Sequence, residues 1–570
     1  MKRIASIFIS LCLLFSMTAC VKNNPTIVSP DDAADKILYG GDIITIDENS
    51  HNAEAVAIKA GKIIALGKKT EVFSFQGDNT EMLNLEGKTL LPSFIDSHSH
   101  INNVSITVDM ADLSSPPVGN MNNIADIKNK LKKHIQSRQF GNDEIIWGFG
   151  YDDSLLEEKR HPNKFDLDEV STEKPIVVLH ISGHVGVANS RALEIFGYNS
   201  ETKDPAGGHI GRVSGSNEPN GILEETAVYM AYGAFPAKTI EGLVKAQEYY
   251  LSHGITTAQE GAAFKNDIEL LANAAKEKKM KIDIIAYSHF SNNNKEYLLH
   301  HKLPVGKYQD GLKLGGVKLT LDGSPQGKTA WLTEPYFVVP EGKDADYKGY
   351  PTMTDEQVEQ FVKEAFENDW QVLAHANGDA AADQYIKVIE KASQTTGKKD
   401  LRPVMIHAQT VRDDQLDEMK ELEIIPSFFN AHTFYWGDWH INSVLGKERA
   451  YRISPVKSAL DRNIPFTLHQ DSPVIPPDML YSIWCAVNRT TRSGEIIGPD
   501  QRISVMDAIK AVTINAAYQY FEEDTKGSIS IGKNADLVIL SQNPLKVDPQ
   551  EIKNIKVVET IKDGKTLFKK

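Results

Sequence analysis

Between about residues 91 and 520, apolar strand-like runs alternate with helical stretches, an order that points to a parallel α/β arrangement. Candidate strands fall at 90–98, 144–149, 176–181, 255–260, 282–287, 315–321, 371–375, 403–408, 424–429 and 465–470. That is ten where a closed (β/α)8 barrel needs eight, so one or two belong to inserted structure. The alternation alone does not say which. Outside this stretch the pattern changes: short β-runs with tight turns fill 35–90, and similar runs return only at 527–533, 536–540 and 561–565. The two β-rich ends are expected to pair into one small sheet domain.

Charge and cysteine content remove several classes. A net charge of −15 without a clustered basic face argues against nucleic-acid binding. The cysteines Cys12, Cys20 and Cys485 cannot build a disulfide framework, nor a structural cysteine-metal site. Two of them lie in the first twenty residues, where Lys2 and Arg3 precede an apolar run at 4–15. That is the layout of a bacterial secretory signal, and the run is too short to span a bilayer. Met17-Thr18-Ala19-Cys20 resembles a lipoprotein processing box. The expectation is an exported protein whose signal (1–19) is removed and whose Cys20 is lipidated, with 20–34 as a tether holding it at the membrane. An ordinary secreted protein is the alternative.

The strongest local feature is the run at 91–100, Leu-Pro-Ser-Phe-Ile-Asp-Ser-His-Ser-His, an apolar strand ending in His98-x-His100. Strand side chains alternate, so the two histidines point to one side and can converge on one metal ion. With 17 His in 570 residues, about 0.5 such pairs arise by chance, so further ligands are required. They stand at the ends of other candidate strands: His375, His407, and His469 with Asp471. In a parallel barrel all such ends open onto one face, so residues hundreds apart share a pocket.

These residues, together with Gly316-Val317-Lys318-Leu319, Asp322-Gly323-Ser324, Asp471-Ser472-Pro473 and the run from Gly527 to Val538, resemble the amidohydrolase superfamily. Within it they are similar to the branch of N-substituted formamide deformylase. The resemblance covers about 35–570 and implies a metal-dependent hydrolase barrel over 91–520, with a β-sandwich built from 35–90 and 521–570. It also implies that His98 and His100 hold one metal, that His375 and His407 hold a second position, and that Asp471 binds metal and exchanges a proton with the attacking water. Where many relatives have Glu and Ser, this chain has Ile406 and Gln470, which alters the surroundings of the ligands.

Lys318 alternates with Val317 and Leu319, so it projects opposite the apolar face, into the barrel mouth. An ammonium about 4 Å from a divalent ion is repelled by about 8 kcal/mol at an effective dielectric of 20. Two readings stand. In two-metal relatives a lysine here is carboxylated by CO₂, and N6-carboxylysine at Lys318 is then a bridging anionic ligand; otherwise the lysine pairs with Asp322 beside a single metal. His184, His469 and Asp322 are candidate substrate contacts, with structural roles as the alternatives. Arg489 and Arg492 read as structural arginines, with carboxylate binding as the minor reading, and Asp379 as the cap of the next helix.

The expected chemistry is hydrolysis of a non-peptide C–N bond in a small amide or N-substituted formamide, by water activated on one or two divalent ions. Imidazole and carboxylate donors suit zinc, and manganese, iron or cobalt also fit. The alternatives are an ester, lactone or N-acyl amino acid hydrolase on the same site, or a lipoprotein that binds metal or solute without turnover. The sequence leaves subunit pairing open, a homodimer being one option.

Overall fold

The computed structural model describes residues 33–47, 52–116, 118–153, 155–181, 185–205, 208–225, 227–228, 236–290, 298, 305–340 and 343–570. The signal region, Cys20 and His184 lie outside these residues. No helix of the described residues is long and apolar enough to cross a membrane.

Eight parallel strands form one continuous sheet: β1 (Phe94–Ile95), β2 (Ile255–Ala263), β3 (Asp283–His289), β4 (Leu312–Thr320), β5 (Gln371–Ala376), β6 (Val404–His407), β7 (Ile425–Phe428) and β8 (Thr467–Leu468). They pair in sequence order. The first and last are drawn together at their C-terminal ends, where Ser97 Oγ donates to Leu468 O at 3.1 Å and Asp471 N to His98 O at 3.2 Å.

The strands are near-continuous apolar runs because both faces are covered. On β4, Val317 and Leu319 join the large outer core with Val358, Val362 and Phe366 of helix Asp355–Glu367. That helix starts where Thr354 and Gln357 form a reciprocal capping box. Ile95, Ile285, Tyr287, Leu373, Ile406 and Ile425 point the other way and make a separate buried cluster with Tyr520. This plug leaves polar side chains at the strand ends to form a mouth.

The candidate strands at 144–149 and 176–181 are the inserted ones. Ile146–Tyr151 and Ile176–His180 pair with each other in a six-stranded sheet with Ala111–Asp112, Val185–Ala188, Pro219–Glu225 and Gly208–Arg212.

The chain ends meet in a five-stranded sheet, where Thr89–Pro92 pairs antiparallel with Leu537–Leu540. A four-stranded sheet of Lys62–Gly67, Ala55–Lys59, Lys36–Tyr39 and Glu81–Asn84 lies against it. Leu38, Val56, Ile58 and Ile63 of one share a core with Leu90, Leu537, Ile539 and Ile561 of the other.

Candidate metal centre

His98 and His100 follow β1 directly, and Asp471 stands three residues after β8. One ligand atom from each lies within 4.8 Å of the others. His98 Nε2 is 3.5 Å and His100 Nε2 3.2 Å from Asp471 Oδ1, yet that buried oxygen accepts no hydrogen bond.

The orientation of His98 comes from its neighbours. Gln259 donates its amide NH₂ to Ser97 O and to Tyr520 Oη, which turns Oε1 toward His98 Nδ1 at 2.6 Å. An amide oxygen only accepts, so His98 carries its hydrogen on Nδ1 and offers a bare Nε2 to the mouth. Gly261 makes the approach possible: a Cβ there would stand 2.5 Å from His98 Cε1. His100 is flanked by a second carboxylate, with Glu260 Oε1 3.6 Å from Nδ1. Burial works against a charged His100, but Asp471 and Glu260 together raise it to about 9. Burial also opposes ionisation of Asp471, yet the surrounding histidines, His100 first, hold its carboxyl well below the usual range.

A second set stands beside the first. His407 Nε2 is 2.9 Å from His375 Nδ1 and 4.0 Å from Asp471 Oδ2. His375 Nε2 lies 3.1 Å from Gly323 O and 2.9 Å from Asn377 Nδ2, which leaves Nδ1 facing His407. Burial depresses His375 to about 4. Lys318 Nζ is buried 3.3 Å from His98 Nε2, and burial lowers its amine to about 8. His407 and Asp471 both hold left-handed backbone, φ 76° and 57°. Such conformations cost about 1–3 kcal/mol each and gather at functional sites.

Imidazole nitrogens converging on a carboxylate oxygen fit a divalent cation between them: His98 Nε2 and the Asp471 carboxylate present lone pairs to one point, and a cation there would take the place of the proton that Asp471 and Glu260 favour on His100. The donor set therefore suits the metal that the sequence implies.

The two described residues expected to contact substrate are buried directly beside the histidines, Asp322 Oδ1 3.6 Å from His375 Nε2 and His469 against His407. Asp322 is fully buried and accepts from the backbone N–H groups of Trp331, Asn377 and Gly378 at 3.0, 3.0 and 2.7 Å. It ties β4 to the loop after β5, with burial raising its carboxyl to about 7. His469 is also fully buried, bonded to His407 Nδ1 at 3.1 Å and to Ser427 Oγ at 2.9 Å, so it orients His407. Among the described residues Lys318 forms no ion pair with Asp322, and its Nζ stands against His98. Asp379 does not cap its helix, since Gly378 takes that position and the carboxylate instead holds Thr333 N at 2.9 Å. Arg489 is buried on the carbonyls of Ile497, Ser454 and Ile453.

Gln259, Glu260 and Asn377, whose Nδ2 is 2.9 Å from His375 Nε2, were not singled out in the sequence. The first two sit at the end of a candidate strand, and applying the strand-end rule to every strand rather than to histidines alone would have found them. A further group, Asp152, Asp153 and His180, gathers on the inserted sheet. Its shortest contact, His180 Nε2 to Asp153 Oδ1 at 3.2 Å, is that of an ion pair.

An eight-stranded parallel barrel with imidazole and carboxylate ligands at its C-terminal mouth defines a metal-dependent hydrolase. Residues 81–568 match the model of the amidohydrolase family, and the chain belongs to that family. It is 31% identical over 552 residues to Protein LONG AFTER FAR-RED 3 of Arabidopsis thaliana, covering 94% of this chain and 92% of that one. It is 25% identical over 545 residues to N-substituted formamide deformylase of Arthrobacter pascens, covering 93% and 97%. Among solved structures it is similar to an uncharacterized metal-dependent hydrolase from Pyrococcus horikoshii, with TM-score 0.70, 26% identity, and coverage of 90% of this chain and 99% of that one.

Proposed function

We propose that the protein hydrolyses a non-peptide C–N bond, that of an amide or N-substituted formamide. The observation that carries this reading is the position of Asp471, whose carboxylate stands among three histidines, His98, His100 and His407, with its side chain 14% exposed at the mouth. A divalent ion held by His98, His100 and Asp471, with His375 and His407 beside them, supplies Lewis acidity and makes water deprotonation accessible near neutral pH. Zinc suits these donors.

Asp471 takes the proton of the attacking water as the C–O bond forms, and returns it to the nitrogen as the C–N bond breaks. A carboxylate held strongly ionised by its histidine neighbours is ready for the first transfer. Gln259 and Glu260 hold the β1 histidines in place during both. The amine of Lys318, depressed to about 8, is partly unprotonated at neutral pH and able to take up CO₂. Its carbamate would supply the anionic oxygen that a second ion beside His375 and His407 needs.

The name carried by the Arthrobacter relative supports an N-substituted formamide or similar amide. The test is a panel of amides, formamides, esters and lactones offered to the metal-loaded protein with and without chelator. Chelator-sensitive release of amine from an amide or formamide is expected. Turnover of esters or lactones alone would move the reading to those substrates, and retention of every compound unchanged would leave a binding protein. Export and lipid anchoring at Cys20 are also proposed, supported by residues 2–20. Cys20→Ala is expected to shift the protein from the membrane fraction to the soluble one, and an unchanged distribution would contradict the anchor.

A further inference from the structure

A cavity of about 390 Å³ opens beside the centre. Ser472 and Pro473, next in the chain to Asp471, line it, as does Val104 on the helix Ile101–Thr107 that starts directly after His100. Most of the remaining wall is apolar or aromatic, with Met110 and Phe149 contributed by the inserted sheet region and Tyr249, Trp436 and Val474 by the barrel. A wall of this kind is what a small ligand with an apolar body requires.

Arg492 breaks that pattern. It lines the cavity, and its guanidinium donates from Nη1 to Pro116 O at 2.7 Å and from Nε to Tyr435 O at 3.3 Å. The rings of Phe434 and Tyr435 lie 5.3 and 5.2 Å from it. Among the described residues no carboxylate forms an ion pair with it, and Nη2 has no hydrogen-bond partner. The other charged groups of the wall are engaged or set apart: Lys245 holds Asp109 at 2.9 Å, Asp112 accepts from Ser114 N at 3.0 Å, and Asp152 lies 3.9 Å from His180. Asp152 and Asp438 act on the half-buried guanidinium only at a distance, so no directly paired anion offsets its desolvation. Two backbone carbonyls fix the plane of the fork and leave one edge for a planar anion.

We propose that Arg492 holds a carboxylate of the substrate, so that the preferred compounds are amides whose apolar or aromatic body ends in an acid group. This rests on the hydrolase reading above and narrows it. The apolar body fills the cavity, the acid group meets Arg492, and the amide lies toward Asp471.

The test is calorimetric binding of 3-phenylpropanoate and of its uncharged counterpart 3-phenylpropanamide to the metal-loaded full chain. The acid is expected to bind about tenfold or more tightly than the amide, as a charge-assisted bidentate contact requires. Arg492→Gln is expected to bring the two within about twofold, and Arg492→Lys to keep an intermediate preference. Equal binding of the pair by the wild-type chain would overturn the proposal, and so would a preference that survives in Arg492→Gln, because the acid would then be held by the metal. Should Arg492→Gln fail to fold, the wild-type comparison and Arg492→Lys still decide. An Arg492-dependent preference in a protein that cleaves nothing would sink the hydrolase reading alone. Turnover of amides without acid preference would sink this one alone.

Discussion

The barrel carries buried charge at both ends, and the two ends compensate it differently. At the floor, where the strands begin and the β-sandwich abuts them, Lys313, Lys526 and Lys562 face Asp283, Glu522 and Asp536. Lys526 Nζ is 2.6 Å from Asp283 and 2.8 Å from Glu522, Lys562 Nζ is 2.9 Å from Asp283, and Lys313 contacts Glu522. Burial opposes ionisation, but Lys526 and Lys562 hold the Asp283 carboxyl at about 2. At the mouth, imidazole lone pairs and carboxylate oxygens of Asp471 face one another, a lysine sits against a histidine, and the backbone is left-handed at two ligands. Burial and charge are common to both clusters. What separates them is the counter-charge: the floor sets lysine ammonium groups against its carboxylates and joins two layers, whereas at the mouth the imidazoles and the Asp471 carboxylate converge on one point that suits a cation.

The largest expected effect breaks the mouth. Asp471→Asn in metal-loaded protein removes the proton acceptor while keeping the shape, and turnover should fall by about 10²–10⁴. Near-normal rates would take Asp471 out of proton transfer. At the floor the corresponding change is Lys526→Met, which removes the ammonium shared by Asp283 and Glu522 and leaves each with a single lysine, Lys562 and Lys313. Urea unfolding should register a loss of about 3–5 kcal/mol with metal content per folded molecule unchanged. A loss of metal with intact stability would mean that the two ends are not separable in this way.

Acid sharpens the contrast further. The Asp283 carboxyl lies at about 2 in the fold against an ordinary 3.8, so its contribution is present above pH 3.8 and lost as pH falls toward 2. That contribution is about 2 kcal/mol. Stability followed from pH 5 to 2 should drop in that window, and Asp283→Asn should flatten the drop. The smallest change touches only alignment. Gly261→Ala pushes a methyl against His98 and is expected to weaken metal binding by about 10–100-fold while the chain still folds. Unaltered affinity would show that the His98 ring is not held by this contact.

Much of this was legible in the chain because parallel strands put all their C-terminal ends on one face. His98, His100, His375, His407, His469 and Asp471 each follow an apolar run, and topology gathers them without any local signal between them. The runs at 146–151 and 176–180 were not separable from barrel strands, since their apolar character is that of any strand buried on both faces, and only pairing partners assign them to the inserted sheet. Asp322 shows what the pattern leaves out: it stands beside His375 as its place after β4 suggests, but three backbone N–H groups from two loops, unreadable in the sequence, hold its carboxylate. Arg492 lies outside any strand-end pattern, because the wall it joins is assembled from the inserted region and the loops after β7 and β8.

The most direct measurement is anomalous diffraction from crystals of the purified protein, collected at the absorption edge of whichever metal elemental analysis finds. The expected result is a peak bonded to His98 Nε2, His100 Nε2 and an Asp471 oxygen at about 2.0–2.2 Å. A mouth with no peak, or a metal bound away from these three residues, would contradict it.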